Sequence, residues 1–241
     1  MTAGSRRRGG AAPAFPGSLF TGGKRGVWYD PSDLPTMFTD TAGTVAANVG
    51  DAIARINDKS GNGLHWTQAT AGKRPILTQS GSLYYLAFDN SDDYLLVSTP
   101  AFTANMDLYL AERRVVTPTM ALWQTPGSGS GPFLGVAKAA DGAAASSGAG
   151  TPTYAVNGTA VPGGTATTRA QLETACPAGS DIVLEVLGAN LSAWNAFGCG
   201  VWTAPWWTGT RIYGTFAVEA LGASDRAALL TWLGAKAGLT L

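Results

Sequence analysis

Two short polar segments, each placed directly after an apolar run, constrain the fold of this chain more than any other feature. The first is Asp58-Lys59-Ser60-Gly61-Asn62-Gly63, and the second is Phe88-Asp89-Asn90-Ser91-Asp92-Asp93-Tyr94. Ser-Gly and Asn-Gly supply the positive φ angles that tight turns need, and Asp side chains accept hydrogen bonds from the nearby backbone. Both segments are therefore predicted to be turns that end β-strands.

Short apolar or alternating runs recur along the chain and predict β-strands. Within 154–161, Asn157-Gly158 separates two such runs and predicts a hairpin with a type I′ turn. Asp181 and Glu185 alternate with apolar residues, so one face of their strand is predicted to meet solvent or another subunit. The predicted strands cover residues 27–29, 52–56, 64–68, 76–78, 83–88, 94–98, 106–116, 120–124, 133–136, 154–161, 181–187 and 212–218.

A single helix is predicted at the end of the chain. Ser224 is a suitable N-cap residue, and Leu229, Leu230 and Leu233 supply an apolar stripe after it. Gly238 follows the stripe at the position where helices commonly end in a left-handed residue. We expect this helix to pack on the sandwich and to protect a sheet edge.

The composition favours one large, turn-rich β-sandwich. The 241 residues include 32 Gly and 13 Pro, 45% of them are apolar, and no linker divides the chain into halves. Charged residues make up 13% and the formal net charge is zero, so we expect no nucleic-acid partner. No run reaches the ~18 apolar residues that indicate a membrane helix, so we expect no membrane contact.

Residues 1–25 are rich in Gly, Ala, Ser and Pro and predict a flexible N-terminal docking arm. A single domain is predicted to follow at 26–241. Arg6, Arg7 and Arg8 concentrate positive charge in the arm, which suits an acidic surface on a partner. The low charge of the rest of the chain favours a subunit that covers part of its surface in an assembly.

The two turns together resemble the signature of laminin-G-like, concanavalin A-type jelly-roll modules, with Asn90 in place of the usual Gly. The opening from Gly26 to Leu34, followed by Arg74-Pro75, looks like the version of this module found in tailed-phage virion proteins. The similarity extends over about residues 26–241. It implies an all-β, two-sheet jelly-roll (concanavalin A/laminin-G-like) sandwich with an extended N-terminal arm and a short C-terminal helix.

This resemblance implies a non-enzymatic structural protein of a tailed bacteriophage particle, made in the host cytoplasm and carried on the exterior of the virion. It would serve as a capsid decoration, head-fibre or tail-fibre subunit that contacts major capsid or tail proteins through its arm. We expect a homo-oligomer, with a trimer favoured because closed cyclic assemblies cover exposed edges. The alternative function is a lectin-like, carbohydrate-binding module that recognises a host surface glycan.

Catalytic chemistry has little support in the sequence, and no catalytic residue is predicted. His65 is the only histidine, and no G-x-S-x-G motif accompanies it. Asp181 and Glu185 are the nearest approach to the carboxylate pair of a glycosidase, and alternating solvated residues explain them better. Cys176 and Cys199 are not in a CxxC spacing and are predicted to be reduced and buried.

Five polar residues of the two turns have two competing interpretations. Asp58, Asn62, Asp89, Asp92 and Asp93 are predicted to build structural turns, in which their side chains bond to the backbone. The alternative is a calcium site, because Ca²⁺ prefers carboxylate, amide and carbonyl oxygens. No other cofactor and no other metal is predicted.

The Trp-rich stretch of residues 194–207 likewise has two interpretations. Trp202, Trp206 and Trp207 are predicted to fill the core or a contact between subunits. A platform on which sugar rings stack is the alternative, because aromatic faces suit both surfaces.

Overall fold

Two antiparallel β-sheets packed face to face form most of the molecule, which confirms the predicted two-sheet β-sandwich. The computed structural model describes residues 15–115, 123–124, 133–134, 142–199 and 210–241. The strands are β1 Gly26–Tyr29, β2 Met37–Phe38, β3 Arg55–Ile56, β4 Trp66–Thr67, β5 Ile76–Ser80, β6 Leu83–Ala87, β7 Leu95–Ser98, β8 Met106–Arg114, β9 Trp123–Gln124, β10 Phe133–Leu134, β11 Ser146–Ser147, β12 Thr153–Val156, β13 Thr159–Ala160, β14 Asp181–Ala189, β15 Ala196–Cys199 and β16 Thr210–Glu219.

The helices are few and short. They are α1 Arg169–Ala175 and α2 Ala223–Lys236, with 3-10 helices at Gly17–Gly23, Leu34–Thr36, Ala71–Lys73 and Gly164–Ala166. The first sheet, sheet A, has the strand order β13-β12-β14-β8-β16-β6-β5, and β1 also pairs with β16. The second sheet, sheet B, has the order β11-β10-β9-β15-β7-β4-β3-β2.

Strand β16 lies at the centre of sheet A because other strands pair with both of its sides. On one side β8 follows it from end to end, with a β-bulge between Ile212 and Gly214. On the other side β6 pairs with Arg211 and Ile212, whereas β1 pairs with residues 215–218. The first strand of the domain is thus held by its last strand.

One predicted strand, at residues 52–56, forms a ladder only at Arg55–Ile56. The reason is that the chain passes between the two sheets at this point. Ala52 makes a bridge to Ile76 at the edge of sheet A, whereas Arg55 pairs with Thr67 in sheet B. A continuous strand cannot serve two stacked sheets, so the ladder is interrupted.

Sheet A is covered on both faces, and each face has its own apolar core. The inner core lies between the sheets, where Leu110 and Leu184 of sheet A join Trp66 and Phe197 of sheet B. The outer core lies on the opposite face of sheet A. Strand β8 serves both cores by alternation, as expected when successive side chains point to opposite faces.

The outer core is closed by α2 and by the 3-10 helix at Gly17–Gly23. Leu229 and Leu233 of α2 are fully buried there. The Trp28 ring stacks on Phe216 at 5.6 Å, and Trp232 of α2 meets the Phe216 ring edge-on at 5.7 Å. The C-terminal helix therefore covers a sheet face, and not only a sheet edge as predicted.

Part of the segment predicted to be a flexible N-terminal arm is folded. Residues 1–14, with Arg6, Arg7 and Arg8, lie outside the described residues. Within the remainder of the predicted arm, Leu19 and Phe20 are 3% and 8% exposed and belong to the outer core. The segment from residue 15 onward is therefore part of the folded domain, because these two apolar side chains are covered by sheet A.

The ends of α2 match the prediction at one end only. Gly222 is its N-cap and makes no side-chain capping bond, so Ser224 lies inside the helix and is not the cap. Gly238 has a φ of 76°, as predicted for the residue after the helix. The N–H groups of Gly238 and Leu239 donate to carbonyls of the last turn and close the helix.

The predicted hairpin at 154–161 is present, and both turn residues, Asn157 and Gly158, have the positive φ of a type I′ turn. Helix α1 was not predicted, although its start has a sequence signal. Thr168 and Gln171 form a capping box, in which each side chain bonds to the backbone of the other.

Candidate functional site

Asp58 is the central polar residue of the first turn, and its carboxylate accepts four hydrogen bonds from the chain. One carboxylate oxygen accepts the N–H groups of Trp28 and Ser60, both at 2.9 Å. The other accepts the Ser60 hydroxyl at 2.7 Å and the Leu64 N–H at 3.1 Å. Asn62 of the same turn donates to the Gly26 carbonyl at 2.9 Å. This turn therefore fastens β1 to the loop that follows β3.

A second turn of the same kind occurs at Asp30 and was not singled out in the sequence. The Asp30 carboxylate accepts the N–H and the hydroxyl of Ser32, at 3.0 and 2.6 Å. It also forms ion pairs with the ammonium groups of Lys59, at 3.5 Å, and of Lys236 in α2, at 3.1 Å. Asp-x-Ser is the sequence signal shared by both turns, since the Asp58 turn reads Asp-Lys-Ser.

The Asp89 turn is held mainly by hydrogen bonds among its own residues. One Asp89 carboxylate oxygen accepts the N–H groups of Ser91, Asp92 and Asp93, at 2.8 to 3.4 Å. An Asp93 oxygen accepts the Asp89 N–H at 3.0 Å. Burial, together with the charge of Asp89, raises the pKa of Asp93 to about 6.

The five polar turn residues do not come together as one acidic group. Oxygen atoms of Asp89, Asp92 and Asp93 lie within 4.8 Å of one another, and this cluster does not include Asp58. Three carboxylates carry six oxygens, the lower limit for Ca²⁺, but one oxygen of Asp89 and one of Asp93 already accept backbone N–H groups. Asp92 also lies 3.8 Å from the Lys73 ammonium, which competes with a cation for its charge.

His65 supports the first turn. Its Nδ1 accepts the Asp58 N–H at 3.0 Å. Burial and the nearby Arg55 guanidinium lower the pKa of His65, which keeps the ring in the neutral form that can accept this bond. The only histidine of the chain therefore has a structural contact that accounts for it.

Asp181 and Glu185, the nearest approach to a catalytic carboxylate pair, are each engaged elsewhere. Asp181 pairs with Arg113 at 2.9 Å and accepts the Tyr213 hydroxyl at 2.8 Å. Glu185 is fully buried and accepts the Arg226 Nε–H of α2 at 2.6 Å. The prediction that this strand face meets solvent or another subunit is wrong, because α2 covers it.

The most unusual polar group lies inside the sandwich, at the end of β8, and the sequence analysis missed it. Glu112 and Arg114 continue the inner face of β8 after Leu108 and Leu110, so charge replaces apolar residues at one end of the core. They are 0% and 1% exposed. The signal in the sequence was this period-two pattern, in which an apolar face runs on into charged residues.

Glu112 is suited to carry a proton at neutral pH. Burial raises its pKa to about 7. Its Oε2 lies 2.9 Å from the Thr210 hydroxyl, which is also 3.1 Å from the Arg113 carbonyl. A hydroxyl has one proton to donate. When Glu112 is protonated it can donate to Thr210, which then donates to Arg113, and both contacts are satisfied.

Arg114 is only partly paired. Its Nη1 lies 2.7 Å from a Glu173 carboxylate oxygen on α1. Among the described residues, its Nε and Nη2 and the Oε1 of Glu112 are buried without a hydrogen-bond partner. Buried polar groups are nearly always bonded, so three such atoms at one end of the core are exceptional.

The two cysteines lie close to this polar group. Both are buried, as predicted, and both are free thiols. Burial, followed by the charge of Glu112, raises the pKa of Cys176 and of Cys199 well above the usual thiol value. The thiols therefore stay protonated and are not activated nucleophiles.

The predicted aromatic residues Trp202, Trp206 and Trp207 lie outside the described residues. A surface groove of about 400 Å³ separates the β12–β13 hairpin from α1, and no charged side chain lines it. Within the described part of the chain, no helix has the length and apolarity required to cross a membrane.

Comparison with known proteins finds little that is similar. No protein-family model matches the chain, and no curated protein matches it either. Among solved structures, the Trypanosoma rangeli sialidase in complex with the inhibitor DANA is similar to it, with a TM-score of 0.45 and 13% identity. The match covers 83% of this chain and 36% of the sialidase chain, so this chain spans little more than a third of that enzyme's length.

Proposed function

We propose that the protein is a non-enzymatic structural subunit on the exterior of a tailed bacteriophage particle, built on a concanavalin A/laminin-G-like jelly roll. The observation that carries the proposal is the Asp58 turn. Its carboxylate accepts four hydrogen bonds from the chain, including one from Trp28 in β1. The residues that resemble the virion module thus serve to hold the sandwich together, which suits a scaffold.

The other acidic side chains support the same proposal. Glu185 and Asp30 are buried and are paired with cations of α2. Asp181 is paired with Arg113 on the neighbouring strand. These ion pairs engage the three carboxylates within the fold.

The proposed attachment element is the segment before residue 15. Its three consecutive arginines, Arg6, Arg7 and Arg8, suit an acidic surface on a capsid or tail protein. Leu19 and Phe20 are covered by sheet A, so attachment does not need them. We propose that copies assemble as a trimer through this segment, because α2 covers the strand face that the sequence had offered for such a contact.

The test uses a phage whose copy of the gene is deleted. The phage is grown on a host that supplies a variant of the protein in trans. A variant lacking residues 1–14 is expected to fold with an unchanged melting temperature and to be absent from purified particles. Replacement of Arg6, Arg7 and Arg8 by Gln should give the same result. The control is Lys24→Gln with Lys73→Gln, which removes two positive charges from the folded domain and should join particles normally.

The outcomes separate the proposals. Absence of the full-length protein from purified particles contradicts the structural role, and normal incorporation of the shortened chain contradicts attachment through the arm. In wild-type particles, hundreds of copies indicate the capsid surface and about a dozen or fewer indicate the tail. Binding of the full-length protein to host polysaccharide without incorporation supports the lectin-like alternative.

A further inference from the structure

At the end of the inner core, Glu112 and Arg114 have buried polar atoms that make no hydrogen bond with the described residues. A guanidinium has five N–H donors, and a buried one normally finds acceptors for them. In Arg114, Nη1 contacts Glu173, whereas Nε and Nη2 have no partner in the described part of the chain. These two atoms lie on one edge of the planar group.

The edge of Arg114 formed by Nε and Nη2 is suited to bind a carboxylate. The N–H groups of Nε and Nη2 are parallel, and their spacing matches the two oxygens of a carboxylate. Glu112 lies near enough for the Arg114 charge to act on its pKa, but no hydrogen bond joins its Oε1 to this edge of Arg114. The nearby thiols of Cys176 and Cys199 are neutral, so they do not compensate the charge either.

We propose that Arg114 and Glu112 form a binding site for one small monocarboxylate inside the end of the sandwich. The carboxylate would accept two hydrogen bonds from Nε and Nη2 of Arg114. The unpartnered Oε1 of Glu112 lies on the same strand face, two residues away, where it can accept a hydrogen bond from a hydroxyl group of the ligand.

The burial of the site limits the ligand to a small, free acid. Arg114 is 1% exposed, so a carboxylate fixed to the surface of another protein cannot reach it. Glu173 is the more exposed member of the ion pair, with 23% of its side chain accessible, and it marks the side from which a ligand enters. Entry requires local opening next to α1. The proposal does not depend on a role in a virus particle.

The test measures binding of ¹³C-acetate to the full-length protein by NMR, together with the melting temperature, at pH 6 and constant ionic strength in chloride. We expect saturable binding and a melting temperature that rises with acetate concentration. Arg114→Gln should weaken binding at least about tenfold, because two charge-assisted hydrogen bonds are lost. The matched control is Arg113→Gln, on the opposite face of the same strand, which should leave the affinity unchanged.

A second variant keeps the test decisive if Arg114→Gln does not fold. Glu173→Gln removes the negative charge next to Arg114 and retains an oxygen that can accept from Nη1. We expect it to bind acetate about threefold or more tightly, because an attractive charge partner of the guanidinium is lost. Unsaturable acetate binding, or equal affinity in the wild type, the Arg114 variant and the Glu173 variant, overturns the proposal.

Discussion

Two fully buried glutamates lie on opposite faces of sheet A and differ in every other respect. Glu185 faces the outer core, where it accepts the Arg226 Nε–H at 2.6 Å and the Gly158 N–H at 3.1 Å. Glu112 faces the inner core, where one of its oxygens contacts Thr210 and the other has no partner among the described residues. Burial raises the pKa of Glu112 to about 7.

Because both glutamates are equally buried, the difference between them comes from the groups that each carboxylate contacts. The outer face is covered by a helix, so a long side chain such as Arg226 can reach a buried acid while its own end stays partly in water. The inner face is covered by sheet B, and Arg114, on the same strand face as Glu112, bonds to Glu173 instead. Deletions and substitutions that affect the two cores test this contrast.

The outer core should depend strongly on the segment at Gly17–Gly23. Deleting residues 1–23 removes Leu19 and Phe20 and should lower the free energy of unfolding by more than about 5 kcal/mol, from the summed cost of losing two buried side chains. Deleting residues 1–14 should cost less than about 1 kcal/mol, because it retains both. Urea unfolding of the two shortened proteins provides the measurement, and equal stability of both contradicts the role of this segment.

Glu185→Gln should destabilise the protein by about 3 kcal/mol, because it leaves the Arg226 guanidinium without its buried charge partner. Unfolding in urea at pH 7 measures this effect. The control is Glu219→Gln at the end of β16, which lies outside the buried pair and should cost less than about 1 kcal/mol. A cost below about 1 kcal/mol for Glu185→Gln shows that the ion pair does not stabilise the outer core.

Glu112→Gln should stabilise the protein at neutral and higher pH, whereas Glu185→Gln should destabilise it. The folded-state pKa of Glu112 is about 7 against 4.5 for an ordinary glutamate, so the folded protein binds the proton more tightly than the unfolded chain does. Its contribution to stability is fully present below pH 4.5 and is lost as the pH rises to about 7. The Gln variant, which mimics the neutral acid, should therefore be more stable than the wild type by about 3 kcal/mol at pH 8.

The pH dependence of the difference between the two proteins is the test for Glu112. Unfolding free energies at pH 4.5, 6, 7 and 8 should show a gap that opens as the pH rises and then becomes constant. Other carboxyl groups titrate in both proteins, so their effects cancel in the difference. A gap that is constant across this range means that Glu112 is ionised in the folded protein.

The smallest expected effects concern the helices that cover the two cores. Thr168→Ala removes half of the α1 capping box and should cost about 1 kcal/mol. Gly222→Asp at the start of α2 should stabilise the protein by about 0.5 kcal/mol, because the present cap supplies no side-chain acceptor and a Cβ there meets open space. Differential scanning calorimetry can resolve both. If both substitutions stabilise the protein, or both destabilise it, the expected contrast between the two caps is wrong.

Local chemistry allowed much of the fold to be predicted. The turns at Asp58 and Asp89, the type I′ hairpin and Gly238 each follow from short segments whose side chains determine the backbone nearby. Helix α1 could also have been predicted, because Thr168 and Gln171 have the spacing of a capping box. The crossing of residues 52–56 between the sheets could not, since it depends on distant strands.

The polar sites were harder to predict because their roles depend on contacts across the chain. Glu185 and Asp181 alternate with apolar residues as a solvated face does, and only the position of α2 shows that this face is covered. Asp58 was predicted to be a turn residue, but the sequence does not show that it also bonds to Trp28. Glu112 and Arg114 have a local signal, and their missing partners become visible only in three dimensions.

The pairing of β1 with β16 has a consequence for how this protein is made. Trp28 lies opposite Phe216, so the first strand of the domain cannot find its place until the last strand has left the ribosome. Until then β1 and β8 present unpaired edges, which are prone to join other chains. The sheet therefore closes after synthesis is nearly complete, and a chain that stops before Thr210 cannot build its central strand.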